Sequence, residues 1–183
     1  MIALIGWFGT VLYLANHAYL SISKAHSKPL YFGANALAAA CLVFSSLALS
    51  SWQAVFNNFF WFVISALLLL QVDLKRLPVS PKVFYVLFSL LLIYLLVYLL
   101  RLQELNASIL SWSSVLCFGM AYLLMSSQKI SVLQYLYWNI YAAIAFLPQL
   151  WLDQNIAVFA LELCWAAISI FGVCRRHLAP DVR

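Results

Sequence analysis

The chain alternates long apolar runs with short polar breaks. Apolar text occupies approximately residues 2–20, 30–49, 53–71, 83–101, 109–126, 131–151 and 155–174. Crossing a hydrocarbon core of about 30 Å takes roughly 20 helical residues, so each run predicts one transmembrane α-helix. The breaks are rich in turn-forming and charged residues: SISKAHSKP, LSSWQ, DLKRLPVSPK, RLQELNAS, SSQK and LDQN. Most are short, which makes consecutive helices antiparallel neighbours. No stretch is left over for a soluble domain.

A longer period is superimposed on these runs. At a constant offset of 104, Tyr31 matches Tyr135, Asn35 matches Asn139, Ala38 and Ala39 match Ala142 and Ala143, Trp61 matches Trp165, Ile64 matches Ile168 and Ser65 matches Ser169. At the same offset Asn58 is answered by Glu162. Upstream the register slips slightly: Gly6-Trp7 faces Ser111-Trp112, AYL at 18–20 resembles AYL at 121–123, and Lys24 answers Lys129. The expected organisation is a three-helix repeat over residues 1–75, a linker helix within 76–106, and a second three-helix repeat over 107–183 that ends in a short cytoplasmic tail. A unit of three helices ends on the membrane face opposite its start. The linker run restores the direction, so the repeats are expected to be parallel and related by an axis along the membrane normal. The linker run, 83–101, contains no Asn, Gln, Gly or acid. It reads as a spacer that faces lipid nearly all round.

Composition narrows the class. With 67% hydrophobic and 8% charged residues and a mean hydropathy of +1.00, a water-soluble fold has no way to hide this much apolar surface. The expected class is an all-α integral membrane protein of seven transmembrane helices. If the helices alternate, one side collects Lys24, Lys28, Lys75, Arg76, Lys82, Lys129, Arg175, Arg176 and Arg183, nine of the ten basic residues, and the other receives Arg101. Basic residues concentrate on the cytoplasmic side. The N-terminus is therefore expected outside and the C-terminus inside. Positive charge follows the first apolar run, so that run reads as a retained helix, not a signal peptide. The net charge of +5 is then an orientation signal with some attraction to anionic lipid, and calls for no nucleic acid. Cys41, Cys117, Cys164 and Cys174 lie in or at the end of apolar runs without a Cys-x-x-Cys pair. They read as small core hydrophobes, with no metal site.

The polar residues inside the runs are the candidates for chemistry. Asn58, Trp61 and Ser65 fall at i, i+3 and i+7 and share a helix face, which Glu162, Trp165 and Ser169 repeat. Tyr31 with Asn35, and Tyr135 with Asn139, form a second repeated pair at i, i+4. The bland alternative is that the amides and hydroxyls join helices, at about 0.6 kcal/mol each. Trp7, Trp52, Trp112 and Trp151 lie near outer run ends, where an aromatic belt accounts for them. Trp61 and Trp165 lie well inside their runs, so they read either as core packing or as a stacking surface facing a shared cavity. Glu162 is the acid well inside an apolar run, and an isolated charge there costs at least about 2.5 kcal/mol on insertion scales. It must be protonated, paired or wet. His17, in the first run, is a titratable partner for it, and Asn58 an amide partner.

In architecture, two three-helix units joined by a single helix resemble the PQ-loop superfamily, which includes the SWEET and SemiSWEET sugar transporters. In detail, GWFG, AYLS, YFGAN and WQAVFNNFFW resemble a family of small bacterial inner-membrane proteins of unknown function, usually of one three-helix unit, and this chain reads as a tandem copy. The transporter resemblance implies substrate binding by paired Asn and Trp near the third helix of each unit. On this chain that points to Asn58, Trp61 and Trp165; the repeated pairs Tyr31 with Asn35 and Tyr135 with Asn139 are further substrate-binding candidates, and the change from Asn58 to an acid at the matching position gives Glu162 an expected proton-coupling role. The pattern departs from those transporters in lacking a proline in runs 2–20 and 109–126; the intramembrane proline is Pro148. No nucleophile, base and oxyanion set suited to an enzyme is evident, and residues 155–174 lack the Lys that retinal would need. The expected function is a small-solute carrier of a bacterial inner membrane, without a cofactor, surrounded by membrane lipids and compatible with a homo-oligomer. The alternative is a scaffold or accessory subunit.

Overall fold

A computed structural model describes residues 1–22 and 27–178. Among these the chain forms seven α-helices: α1 Ile2–Ile22, α2 Lys28–Ala48, α3 Trp52–Leu69, α4 Pro81–Leu102, α5 Ala107–Ser126, α6 Val132–Leu152 and α7 Ile156–Leu178. One turn of 3-10 helix, Leu74–Arg76, precedes α4, and there is no strand among the described residues. Each apolar run thus becomes one helix. Among the described residues, five helical segments are long and apolar enough to cross a membrane: Pro29–Ala48, Trp52–Leu69, Pro81–Leu102, Ala107–Ser126 and Ile156–Arg176. α1, Ile2–Ile22, is 21 residues long and apolar over Ile2–Asn16. α6 has the length, but Gln134, Asn139, Gln149 and its three tyrosines lower its hydropathy. Two of these polar side chains, Asn139 and Tyr135, are buried, so composition understates how apolar the outer face of α6 is.

Local chemistry sets the helix ends. Asn106 caps α5, its side-chain oxygen accepting from the Ile109 amide at 3.0 Å. Ser131 and Gln134 form a reciprocal capping box before α6: the Ser131 amide donates to Gln134 Oε1 at 2.9 Å and the Gln134 amide to Ser131 Oγ at 3.2 Å. The other ends are unusual. Ser50, Gln71, Gln103, Gln128 and Gln154, which follow α2 to α6, are left-handed at φ 53, 59, 52, 60 and 55°. Glycine is the residue that adopts this conformation without strain. What holds four of them is a closing bond one residue on: Ser51 amide to Ser46 carbonyl at 3.0 Å, Val72 to Leu67 at 2.9 Å, Lys129 to Leu124 at 2.8 Å and Asn155 to Leu150 at 2.9 Å. Ser50 and Gln154 are separated by the repeat offset, so that corner is written twice without glycine.

The helices pack into two compact units, one comprising Met1–Leu74 with Leu150–Leu161 and the other Lys75–Gln149 with the chain from Glu162 onward. Small residues bring helices of the first unit together. A Cβ on Gly9 would lie 3.0 Å from the Ala38 carbonyl oxygen and from Leu42 Cγ, and one on Gly6 would lie 3.0 Å from Ser45 Oγ and 3.3 Å from the Ala157 Cβ. Gly6 and Gly9 therefore seat α1 on the Ala38, Leu42, Ser45 face of α2, a close backbone approach that small residues permit. The corner between α6 and α7 joins this unit through side chains: Thr10 Oγ1 donates to the Ala157 carbonyl at 2.9 Å, Ser51 Oγ to Asp153 Oδ2 at 2.5 Å and Asn155 Nδ2 to Ser46 Oγ at 2.9 Å.

In the second unit the contact corresponding to Gly9 and Ala38 is polar: Ser114 Oγ donates to the Ala142 carbonyl at 2.7 Å, over the fully buried Ala142 and Ala143. α4 is mostly exposed, as its composition predicts, but not all round. Phe84 and Phe88 are buried. Both meet the Trp138 ring edge-on, at 4.9 and 5.0 Å between centroids, and Phe88 also meets Tyr141 at 5.2 Å. An i, i+4 aromatic pair offers one stripe for such edge-to-face packing, so α4 is a packed helix and not a pure spacer. Lys129 Nζ donates to the Leu77 and Val79 carbonyls at 2.6 and 2.7 Å, tying the turn before α6 to the loop that enters α4. The cysteines divide: Cys117 is buried and Cys41 half-buried, whereas Cys164 and Cys174 are exposed. The core reading fails for these last two, because helical phase turns Cys164 away from the face carrying Glu162 and Trp165.

Candidate functional site

Every side chain that the repeated faces singled out on α3 and α7 is withdrawn from the surface. Asn58, Trp61 and Ser65 are 3, 6 and 0% exposed; Glu162, Trp165 and Ser169 are 3, 8 and 2% exposed. In contrast Trp7, Trp52, Trp112 and Trp151 are 39 to 58% exposed. Tryptophans assigned to a belt and tryptophans assigned to the interior thus separate cleanly.

In the first unit the buried polar groups form two clusters. Asn16 on α1 donates from Nδ2 to Asn35 Oδ1 at 2.8 Å and to the Tyr31 carbonyl at 2.9 Å. Its amide therefore joins α1 to α2, and the Asn35 Nδ2 is left buried without a hydrogen-bond partner. On α3, Asn58 Nδ2 donates to the Ala54 carbonyl one turn back at 2.9 Å, while the neighbouring Asn57, also buried, has an unpartnered Oδ1. Trp61 packs edge-on against Tyr13 of α1, with 6.1 Å between ring centroids and 82° between planes. Ser65 Oγ is buried without a partner.

In the second unit the corresponding positions are differently satisfied. Asn139 is 1% exposed and its Oδ1 has no partner. No amide like that of Asn16 reaches it from α5: the residues at offsets 104 and 105 from Asn16 are Met120 and Ala121. Tyr135 is buried, its ring 6.5 Å from that of Tyr122. Ser113 Oγ and Tyr141 OH are 2.7 Å apart. Glu162 Oε2 is buried and unpartnered. The side chain of His17, the titratable partner expected for Glu162, lies outside the described residues, as do Lys24 and Arg183.

Sequence reading missed Asn16, Asn57, Ser46, Thr10 and Asn155. Asn16 and Asn57 stand out as amides inside apolar runs, yet neither repeats at the 104 offset, so the repeat does not point to them. Among the described residues no group of three His, Cys, Asp or Glu side chains comes together to hold a metal. Chemically, the two units offer buried amides, hydroxyls, indoles and one carboxyl: hydrogen bonds, stacking and proton exchange.

One protein-family model matches this chain twice, over residues 2–76 and over residues 107–179. The intervening residues, 77–106, hold α4. Comparison with curated proteins and with solved structures returns no match.

Proposed function

Since the chain belongs to the family whose model it matches in these two segments, we propose that it is a duplicated membrane carrier for a small solute, coupled to protons through Glu162. All seven helices cross a bacterial inner membrane, with the N-terminus outside and the C-terminus in the cytoplasm. Two parallel three-helix units are joined by α4, an arrangement like that of the PQ-loop superfamily. Asn58, Trp61 and Trp165 bind the solute with Asn35, Asn139, Tyr31 and Tyr135.

The observation that carries this reading is the contrast between Asn58 and Glu162. Asn58 spends its amide on its own helix. Glu162, 104 residues later, is equally buried and keeps a carboxyl oxygen unpartnered. Leaving a buried acceptor unmade costs about 1–3 kcal/mol, and a second Asn would have avoided the charge altogether. A carboxyl at this position gains over an amide by taking up and releasing a proton. Supporting this, the first unit's Asn35 and the second unit's Asn139 each retain an unpartnered polar atom.

The scaffold reading has its own support, because Thr10, Ser113 and Ser114 direct their hydroxyls to carbonyls, as structural hydroxyls do. Purified protein in liposomes, assayed for uptake of sugars, amino acids and organic acids with and without an inside-alkaline pH gradient, separates the two. Uptake that rises with the gradient supports the carrier; absence of flux across the whole panel supports the scaffold.

A further inference from the structure

In the second unit the basic side chains gather at one end of the helices. Lys129 Nζ donates to the Leu77 and Val79 carbonyls at 2.6 and 2.7 Å, which holds its ammonium beside the segment leading into Lys82, in the first turn of α4. Lys75 and Arg76 form the 3-10 turn just upstream. α7 brings Arg175 and Arg176 to the same end. A Cβ on Gly172 would lie 3.1 Å from Leu136 Cδ1, in the second turn of α6, so one further turn of α7 reaches the level at which α6 begins. Lys129 is half-buried and the other five are exposed.

Within this unit no acid balances them. Among its described residues the carboxyl side chains are Glu104, past the far end of α4 and about 33 Å of helix away, and Glu162, well inside α7. Asp73, which precedes Lys75 and Arg76 in the chain, belongs to the first unit and is outnumbered by them. Lys82 and Lys129 also stand at the positive end of the α4 dipole, where a cation is unfavourable. An anion relieves that repulsion; a neutral or cationic molecule does not. Beginning at the same turn, Val83, Val86, Leu87 and Leu90 fall at i, i+3, i+4 and i+7 and form one apolar stripe, 54, 58, 47 and 59% exposed. Charge and stripe are continuous along a helix long and apolar enough to cross a membrane. A phosphate carried on acyl chains matches both.

We propose that the start of α4 binds an anionic phospholipid of the phosphatidylglycerol class, its phosphate between the ammonium groups of Lys82 and Lys129 and an acyl chain along Val83, Val86, Leu87 and Leu90. Lys129 spends two of its three N–H donors on carbonyls and keeps one for the phosphate. A lipid held in this way clamps α4 to the turn between α5 and α6, completing what Lys129 does alone. The assignment requires that α4 spans a membrane, and is independent of whether the protein carries a solute.

The test uses the full chain purified in dodecyl maltoside and stripped of lipid. Thermal melting is followed with dimyristoyl phosphatidylglycerol, with dimyristoyl phosphatidylcholine, which has the same tails and no net charge, and with inorganic phosphate. Phosphatidylglycerol is expected to raise the melting temperature saturably, by roughly 5–10 °C at a hundred times its dissociation constant, and the other two not to. Lys82→Gln is expected to bind it roughly fivefold more weakly, Lys82→Arg to restore the affinity, and Arg101→Gln, at the far end of α4, to leave it unchanged. An equal shift from phosphatidylcholine, or an equal loss in Arg101→Gln, would reduce the effect to general attraction and overturn the assignment. So would an equal shift from inorganic phosphate alone, which would mark a free-anion site, or a shift from polyglutamate with none from the lipid, which would mark an acidic protein partner.

Discussion

Asn155 Nδ2 donates to the Ser46 hydroxyl 2.9 Å away, across 109 residues of sequence. Both groups are buried, at 1 and 0% exposure, and they join two corners at which the chain turns in the same way. Ser46 and Ser51 belong to the corner after α2, Leu150 and Asn155 to the corner after α6, and each corner closes with the same backbone bond. The side chains of the two corners then bond each other, a second time through Ser51 and Asp153.

Removing one partner of this pair should cost more than removing both. Ser46→Ala leaves the Asn155 amide buried with neither of its bonds, a loss of about 1–3 kcal/mol. Asn155→Leu in the Ser46→Ala background should recover part of it. Melting temperatures of the single variants and the double variant give the coupling directly; strict additivity would show that the bond contributes nothing.

The left-handed helix ends make a prediction of the opposite sign. Gln128→Gly and Gln71→Gly relieve positive-φ strain in a side-chain-bearing residue and should stabilise the protein by up to about 1 kcal/mol. A β-branched residue at the same place should destabilise it. Equal melting temperatures for Gly and Val at Gln71 would contradict the left-handed geometry.

Two glycines in helices should respond in opposite directions. A Cβ at Gly9 meets a backbone carbonyl at 3.0 Å, while one at Gly33 meets nothing within 4 Å. Gly9→Val should destabilise by about 1–3 kcal/mol through overpacking. Gly33→Ala should stabilise by roughly 0.5–1 kcal/mol through helix propensity. Chemical denaturation of the two variants in one detergent reads both effects.

Glu162→Gln keeps the shape and the neutral hydrogen-bonding capacity of a protonated carboxyl, so expression and melting temperature should stay close to those of the parent. Under the carrier reading, the difference in uptake between an acidic and a neutral exterior should disappear in this variant, because Gln releases no proton. A variant that transports with unaltered pH dependence would remove Glu162 from the coupling role. One that no longer folds, in a protein without flux, would place Glu162 in the scaffold.

Much of this was legible in the chain alone, and the residues show where legibility ends. Seven apolar runs became seven helices because a helix satisfies its backbone within one segment, so run length and polar breaks suffice to delimit it. The burial of Trp61 and Trp165 and the exposure of Trp7, Trp52, Trp112 and Trp151 followed from distance to the run end, another local property. The 104-residue offset that matches Asn35 to Asn139 and Asn58 to Glu162 is likewise written in the sequence. Partnership is not. That Asn16 reaches Asn35, and that Phe84 and Phe88 of a supposed spacer meet Trp138, depend on which helix faces come together, which hydropathy does not encode. Cys164 is exposed although its run is apolar, because an apolar residue of a membrane helix is equally at home inside the bundle or against lipid. Length and hydropathy determined the helices and their repeat; only the tertiary structure decided which polar atoms are satisfied, since a hydrogen bond depends on the separation of two atoms in space and not on their distance along the chain.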